Sequence, residues 1–254
     1  MTLIRDVYEA IDRVAPFASA MDFDNAGLLV GDPDQPVSRL VVALDITPDV
    51  IREAADCGAQ LIVSHHPVIF HGLKSLPTFH PVWQLASKGI GAICAHTNLD
   101  KAPEIGVNEA LAAALGLQHV RLIPQDAEAL LRIGELPVPM TLSEFAGLVR
   151  DRLGCGCVQV CGQVKQIRTV AVCGGAGGDL ASIAKAAGAD LYVTGEVKQN
   201  EWIDTAEIGQ PMLVCGHHAS EAVVLPVLRD YLSLHLPDVD CRLTSHLEEP
   251  FQTI

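Results

Sequence analysis

Two adjacent histidines follow a run of residues that is typical of a buried strand. Residues 61–64 read Leu-Ile-Val-Ser, and His65 and His66 come directly after them. Ligands of open α/β sheets bind at the carboxyl ends of the strands, so both imidazoles are expected at a binding edge. A histidine pair in this position also has a structural explanation, since it can simply end the strand, and the pair alone does not decide between the two.

Two later apolar segments each end in a histidine that is followed four residues later by an acid. The first pair is His96 and Asp100, and the second is His217 and Glu221. Each pair alone is a weak signal, because an acid in the first turn of a helix can serve only the helix dipole. Their joint occurrence at the ends of corresponding strands favours a metal site over the structural explanation.

The first histidine pair is expected to belong to a β-α-β unit. Residues 40–44 form an earlier strand-like run, and a helix is predicted over residues 49–56, with Pro48 in its first turn and Gly58 after its end. Parallel strands that are joined through a helix end at the same edge of a sheet. The unit therefore predicts a parallel α/β sheet with the histidines at its carboxyl edge.

A second copy of this unit lies later in the chain. Residues 170–196 align with residues 40–66 without a gap, and the alignment places Glu196 at the position of His66. Glu196 either faces a binding edge, as His66 does, or begins a helix after Gly195, and both explanations stay open. The repeat predicts an α/β fold that is built from two related halves.

We predict a first α/β half over residues 1–123, a connecting arm over residues 124–165 and a second α/β half over residues 166–254. The arm contains no candidate ligand set. If the halves face each other, their strand ends gather acids and imidazoles at a metal site between them. The gathered side chains would be those of His65, His66, His96, Asp100, Glu196, His217, His218 and Glu221.

Imidazole nitrogens together with carboxylate oxygens suit a borderline or moderately hard divalent ion such as Zn, Mn, Fe or Co. The candidate ligands at the predicted strand ends include no cysteine, so a structural zinc site fits poorly. A mixed cluster with a bridging acid resembles a dinuclear catalytic centre, in which two ions about 3.5 to 4 Å apart hold an activated water. The expected cofactor is therefore a pair of divalent ions per subunit.

The charge of the chain excludes some partners. The formal net charge is −14 and basic runs are absent, which argues against general nucleic-acid binding and against binding to anionic membranes. A phosphorylated small molecule stays possible as a substrate, because bound divalent ions reverse the local field. The start of the chain lacks the features of a signal peptide, and apolar runs are too short to cross a bilayer, so we expect a cytoplasmic protein.

Two further motifs have structural explanations that we prefer. Cys155, Cys157 and Cys161 alternate along a strand-like run without a fourth ligand at zinc-finger spacing, and the other five cysteines lie in apolar segments where burial is expected. Residues 174–178 read Gly-Gly-Ala-Gly-Gly between a strand and a helix. Their backbone amides could cradle a phosphate, but a tight turn is the preferred explanation because the spaced glycines and lysine of a P-loop are lacking.

Five motifs in order resemble those of the Nif-three-like family, whose members are often named GTP cyclohydrolase type 2 homologues. They are Ser-His-His-Pro-Val-Ile-Phe-His-Gly-Leu-Lys at 64–74, Ala-His-Thr-Asn-Leu-Asp at 95–100, Gly-Val-Asn-Glu-Ala-Leu at 106–111, Thr-Gly-Glu-Val at 194–197 and Gly-His-His-Ala-Ser-Glu at 216–221. The resemblance covers nearly the whole chain. It implies intertwined α/β halves, a dinuclear metal site and a ring-shaped homohexamer.

The resemblance also implies roles for single residues. His66 and Asp100 match ligands of one ion, His65 and His217 match ligands of the other, and Glu221 matches the carboxylate that bridges them. Departures from the common family pattern at other positions put substrate contacts in doubt, but they leave these five residues in place.

The leading functional prediction is a dinuclear metal-dependent hydrolase that acts on GTP, another nucleotide or a phosphorylated small molecule. His96 is either a ligand, a residue that orients a ligand, or a proton carrier, and Glu196 is a second candidate proton carrier. The alternative is a non-catalytic protein that binds or delivers metal and whose ring recruits partners.

Overall fold

The structure is a computed structural model that describes residues 1–247, 249 and 251. The described chain forms two compact units. Unit 1 contains residues 1–105 and 225–247, and unit 2 contains residues 106–224 with residues 249 and 251. Along the chain, residues 106–224 of unit 2 are therefore inserted between the two segments of unit 1. The ranges predicted from the repeat, 1–123, 124–165 and 166–254, have other boundaries and stay a prediction.

The helices and strands follow one another in the order that an α/β protein requires. The first segment of unit 1 contains α1 (Ile4–Val14), β1 (Gly27–Val30), β2 (Arg39–Ala43), α2 (Pro48–Asp56), β3 (Leu61–Ser64), α3 (Pro81–Lys88), β4 (Gly91–Cys94) and α4 (Thr97–Lys101). Unit 2 contains α5 (Val107–Ala114), β5 (Gln118–Leu122), β6 (Arg132–Met140), α6 (Leu142–Leu153), β7 (Gln159–Cys161), β8 (Ile167–Cys173), α7 (Ala181–Ala186), β9 (Leu191–Thr194), α8 (Gln199–Ile208), β10 (Met212–Val214) and α9 (His217–Glu221). The chain then forms α10 (Val224–His235) and β11 (Asp240–Leu243).

Unit 1 is built on a five-stranded sheet with the strand order β1-β4-β3-β2-β11. Strands β11, β2, β3 and β4 are parallel to their neighbours, and β1 lies antiparallel to β4 at one edge. Every residue of β3 and β4 is buried, which explains why their sequences are continuous apolar runs rather than alternating ones. The parallel strands place the segments that follow β2, β3 and β4 at one edge of the sheet.

Unit 2 is built on a six-stranded sheet with the strand order β5-β6-β8-β9-β10-β7. Its three central strands β8, β9 and β10 are parallel, while β5, β6 and β7 run antiparallel to their neighbours. Strands β6 and β7 come from the stretch predicted as an arm, and their pairing incorporates these two segments of it into the sheet. The mixed α/β prediction is confirmed in both units.

The predicted repeat is visible in the strand register. Leu40 pairs with Leu61 in unit 1, and the aligned residues Val170 and Leu191 pair in unit 2. The two copies differ in the number of residues between the third strand and the histidine that follows it. One residue separates β4 from His96, whereas two residues separate β10 from His217. Gly216 is the additional residue, and its φ of 99° lies in the region that favours glycine. This glycine lets α9 begin with a histidine at the strand end.

Each unit has its own hydrophobic core. In unit 1, α2 buries Val50, Ile51 and Ala54 in a cluster with Val41 and Ile62 of the sheet. In unit 2, one cluster buries Phe145 and Val149 of α6 together with strand residues, and a second is centred on Tyr192 and its neighbours. Burial of this apolar surface is the main force that holds the strand ends in place.

The first helix ends at Val14, because Pro16 follows it, and a separate 3-10 helix covers Phe17–Ser19. The expected burial of the cysteines in apolar segments needs correction. Among the cysteines expected to be buried, Cys94, Cys173 and Cys215 are buried, whereas Cys57 and Cys241 are only half-buried. Burial raises the pKa of the Cys215 thiol to about 12, so this thiol is unreactive at neutral pH. Among the described residues, no helix has the length and apolar character that spanning a membrane requires.

Candidate metal-binding residues

His65 is fixed by a backbone carbonyl. It follows β3, its backbone N–H continues the parallel pairing with a bond to the Ala43 carbonyl at 3.2 Å, and its side chain is completely buried. The imidazole Nδ1 lies 2.9 Å from the Ala95 carbonyl oxygen. A carbonyl oxygen can only accept, so Nδ1 carries the proton, and in a neutral ring Nε2 then presents its lone pair.

The Nε2 atom of His65 faces a carboxylate. It lies 3.6 Å from Oδ1 of Asp100, which is on α4. A lone pair and a carboxylate oxygen are both acceptors, so they are held together favourably only by a proton or a cation between them. This distance makes His65 a candidate co-ligand of Asp100. The pairing of His66 with Asp100, which the family resemblance implied, stays a prediction.

His66 is oriented by an acid from the neighbouring strand. Its Nδ1 donates to Oδ1 of Asp45 at 2.8 Å, and Asp45 follows β2 directly. The His66 ring is partly accessible, with 22% of its side chain exposed. This bond leaves Nε2 as the nitrogen that is suited to bind a cation, as in His65.

His96 is oriented by an acid from the turn that precedes β1. Its Nδ1 donates to Oδ1 of Asp24 at 2.8 Å, and Asp24 Oδ2 accepts from the backbone N–H of Thr97 at 3.0 Å and from its hydroxyl at 2.6 Å. Burial by itself would raise the pKa of Asp24, but these hydrogen bonds outweigh it and hold the pKa of the carboxyl well below its ordinary value. Asp24 is therefore an ionised acceptor for His96.

The three histidines of unit 1 form one cluster. Their ring centroids are separated by 5.1 Å between His65 and His66, 5.2 Å between His65 and His96, and 5.7 Å between His66 and His96. One nitrogen from each ring lies within 4.8 Å of the others. We call His65, His66, His96 and Asp100 the unit 1 cluster. Its donor set suits a divalent cation.

Unit 2 carries a histidine and an acid on one helical turn. His217 is the first residue of α9, its Nδ1 lies 2.9 Å from Oε2 of Glu196, and its Nε2 lies 3.2 Å from Oε2 of Glu221. Carboxylates thus face both ring nitrogens. A neutral imidazole donates through one nitrogen only, so a cation at the other side satisfies Nε2 and Glu221 together. We call His217 and Glu221 the unit 2 cluster.

Glycines let the backbone pack directly against Glu221, which is only 4% exposed. A Cβ on Gly175 would collide with the Glu221 carboxylate, and one on Gly174 would lie 3.3 Å from its Cγ. The N–H groups of Gly174, Gly175 and Gly177 donate to Asn108, Ser220 and Thr194 of the same unit, and no contact between this loop and a phosphate is needed to satisfy them. These bonds support the tight-turn explanation of residues 174–178.

The sequence did not reveal Asp24 and Asp45 as residues of the sites. Each lies far along the chain from the histidine that it orients, and an acid in a turn is common. A weak signal exists for Asp45, because it follows a strand that is parallel to the histidine-bearing strand.

The loop between β3 and α3 contains two further histidines. His80 caps α3, where its Nδ1 accepts from Val82 N–H at 3.2 Å, and the His71 ring lies 4.8 Å from that of Phe70. These contacts give neither of them a place in the unit 1 cluster.

Comparisons with known proteins identify the family of the chain. The family model described as DUF34/NIF3 (NGG1p interacting factor 3) matches residues 2–250. A Clostridium perfringens protein named GTP cyclohydrolase 1 type 2 homolog is 32% identical over 261 aligned residues, which cover 99% of each chain.

Solved structures share the fold. A Staphylococcus aureus hypothetical protein superposes with a TM-score of 0.92 at 29% identity, over 99% of each chain. A Bacillus cereus protein related to NIF3 superposes with a TM-score of 0.90 at 23% identity, over 100% of this chain and 99% of the other. The second similarity is a similarity of fold alone.

Proposed function

Because the chain belongs to the DUF34/NIF3 family, we propose that it is a metal-dependent hydrolase whose divalent ions are bound by the unit 1 and unit 2 clusters. One observation carries this proposal. In all four histidines of the clusters, Nδ1 lies 2.8 to 2.9 Å from a carboxylate or carbonyl oxygen. Metal-binding histidines almost always have this arrangement, which fixes the tautomer and directs Nε2 to the ion.

The donor set supports a metal over a purely structural network. In a structural network the Nε2 atoms would be expected to face donors, whereas those of His65 and His217 face the acids Asp100 and Glu221. Zn, Mn, Fe and Co accept this mixture of imidazole and carboxylate. When bound, such ions supply an activated water and polarise the reacting centre.

The side chains of the protein have separate tasks in this proposal. His65, His66, His96 and His217 bind through Nε2, and Asp24, Asp45 and Glu196 hold the rings. The predicted role of His96 as a proton carrier stays a prediction. So does that of Glu196, whose contact with His217 favours a positioning role.

The proposed substrate is a small phosphorylated molecule, with a nucleotide such as GTP as the first candidate. The name of the Clostridium perfringens relative points to a guanine nucleotide. The net charge of −14 repels an anionic substrate unless cations are present, and the proposed ions supply that attraction. Ring opening and phosphate-ester hydrolysis are both reactions that a metal-activated water can perform.

Metal analysis combined with a hydrolysis screen tests the proposal. Protein purified without chelators is expected to contain a divalent transition metal and to hydrolyse at least one nucleotide or phosphoester. Glu221→Gln should lose metal and turnover, while Glu207→Gln, a change of the same type at an exposed position of α8, should keep both. Wild-type protein that is loaded with metal and consumes no nucleotide, phosphoester or amide would contradict the hydrolase and favour the non-catalytic alternative.

The number of ions and subunits is tested by the same samples. If Glu221 bridges two ions, Glu221→Gln should weaken the binding of both, and an unchanged affinity for two ions per chain would contradict the bridge. The predicted homohexamer requires six times the 27.0 kDa chain mass in light scattering of the wild type.

A further inference from the structure

Two phenylalanines are exposed next to the unit 1 cluster. Phe23 is 60% exposed and Phe70 is 41% exposed, and their ring centroids lie 6.4 Å apart with an angle of 39° between the planes. Phe23 precedes β1, and Phe70 lies in the loop between β3 and α3. An aromatic pair that leaves this much ring surface in water gains little for the stability of unit 1 itself.

Hydrogen bonds of neighbouring residues fix the backbone on both sides of this pair. Asp24, next to Phe23, is held by His96 and by two bonds from Thr97. The Asn25 side-chain amide donates to the Ile69 carbonyl at 2.6 Å, which ties the first segment to the residue before Phe70. Two segments thus carry the rings. They are hydrogen-bonded to each other, and one of them contains Asp24, the acid that orients the His96 ring.

The pair lies directly beside a proposed metal ligand. The Phe70 ring centroid is 6.3 Å from that of His96, with an angle of 82° between the planes, so an edge of one ring meets the face of the other. A molecule that reaches the unit 1 cluster along this side passes the exposed ring surfaces. Aromatic faces bind planar rings by stacking, with little dependence on which ring it is.

We propose that Phe23 and Phe70 form an aromatic platform that selects substrates carrying a planar heteroaromatic ring, with the reactive group held at the unit 1 cluster. This proposal rests on the proposed function for the identity of the reaction, but the platform itself is a binding surface. It makes Phe23 and Phe70 specificity residues. It also assigns a task to the turn that carries Asp24, since this turn positions a metal ligand and a substrate contact together.

Calorimetric titration of the metal-loaded protein with guanosine monophosphate and with ribose 5-phosphate tests the platform. The two probes share the phosphorylated sugar and differ in the ring. Stacking on an aromatic side chain is expected to make guanosine monophosphate bind about 10-fold more tightly. Phe70→Leu and Phe23→Leu keep an apolar side chain but remove the aromatic face, so each should reduce this ratio to about 2-fold. Metal content and the affinity for ribose 5-phosphate should be unchanged.

Phe79→Leu is the matched control, because Phe79 is 77% exposed in the same loop. It should keep the wild-type ratio. The platform is wrong if the wild type binds both probes alike, or if Phe70→Leu and Phe23→Leu keep the ratio. It is also wrong if these variants change only the particle mass in light scattering, since the rings would then belong to a contact between copies. Titration of chelator-treated protein with guanosine and ribose separates the two proposals, because a ring preference there supports the platform even if no metal is ever bound.

Discussion

The carboxyl edges of the two sheets share a scaffold but differ in chemistry. The strand pairs β2–β3 and β8–β9 have the same register, yet the first is followed by His65 and His66 and the second by Gly195 and Glu196. At the position of His66, a candidate ligand, the second unit has an acid that orients a histidine. One exchange in the repeat therefore converts a proposed metal-binding position into a proposed supporting position.

The supporting groups also differ in how firmly they are held. In unit 1 the Asp24 side chain has no exposed surface and takes part in four hydrogen bonds, whereas in unit 2 Glu196 is 62% exposed. The unit 2 cluster instead gains its order from Glu221, which is packed beneath glycines. The two units thus hold their candidate metal-binding side chains in different ways. Unit 1 orients them by buried hydrogen bonds, and unit 2 orients them by close packing against the backbone.

Gly175→Ala is expected to have the largest effect, because it attacks the packing solution directly. The residue has a φ of 63° and its added Cβ would collide with the Glu221 carboxylate. Strain in the left-handed region together with the collision should lower the free energy of unfolding by more than about 2 kcal/mol. Urea unfolding and metal analysis should show lower stability and loss of the metal that Glu221 is proposed to bind.

Gly188→Ala is the control for this change. Its φ is 82°, and no described atom lies within 4 Å of the added Cβ. It should cost only about 1 to 2 kcal/mol from backbone strain and leave the metal content intact. Equal metal content in the two variants would mean that the glycine packing has no part in positioning Glu221.

Asp24→Asn tests the buried hydrogen bonds of unit 1. The amide keeps the shape but loses the charge that holds the Nδ1 proton of His96, and metal affinity should fall by about 100-fold, the upper end of the range for such supporting residues. Competition with a chromogenic chelator measures the change. An affinity within 3-fold of the wild type would show that His96 does not need this acid, or does not bind metal.

Glu196→Gln should have a smaller effect, about 10-fold in metal affinity, because the Glu196 carboxylate is exposed and its hold on the His217 ring is weaker than that of a buried acid. The same variant separates positioning from proton transfer. A positioning residue changes metal affinity, and turnover recovers when excess metal is added. A proton carrier leaves metal affinity unchanged and lowers turnover at every metal concentration.

The smallest expected effect, on stability alone, comes from replacing a carboxylate of unit 1 that lies outside the cluster. Glu53 on α2 accepts from the Thr244 hydroxyl and, at 2.9 Å, from the Ser245 N–H. Burial alone would raise the pKa of the Glu53 carboxyl, but these hydrogen bonds outweigh it. In the folded protein the pKa of Glu53 is therefore lower than the ordinary 4.5. A lowered carboxyl pKa stabilises the fold above the ordinary value, and this contribution is lost as the pH falls through the lowered value.

Glu53→Gln should therefore destabilise the metal-free protein at pH 7 by at most about 1 kcal/mol, since solvent screens a partly exposed group. The difference from the wild type should shrink between pH 5 and pH 3 in urea unfolding. A difference that grows on acidification would reverse the sign of this linkage. Metal affinity at pH 7 should be unchanged, because Glu53 stabilises the fold of unit 1 and does not belong to the unit 1 cluster.

Local sequence signals predicted the scaffold well. The helix expected over residues 49–56 is α2 (Pro48–Asp56), and the strand expected over residues 40–44 is β2 (Arg39–Ala43). Capping residues, proline and apolar runs are local, so they are legible in one sequence. The pairing of β11 with β2 and of β6 with β8 was not predicted, because pairing between distant segments depends on tertiary packing rather than on local pattern.

The sequence predicted part of the candidate site, as it predicted part of the fold. The residues of both clusters were named from motif and repeat, since strand ends and residue types are visible in sequence. The orienting acids were not, because the contact between Asp24 and His96 spans 72 positions and leaves no periodic signal. The turn of residues 174–178 shows the same limit, as its use in packing against Glu221 depends on a contact that only the fold creates.

Anomalous diffraction from crystals of the zinc-loaded protein tests the central claim most directly. Zinc is expected about 2.0 to 2.1 Å from Nε2 of His65 and of His217. Nδ1 of His65 should keep its bond to the Ala95 carbonyl, and Nδ1 of His217 should keep its bond to Glu196. Zinc bound through Nδ1, or absent from both histidines in crystals that contain zinc elsewhere, would contradict the central claim.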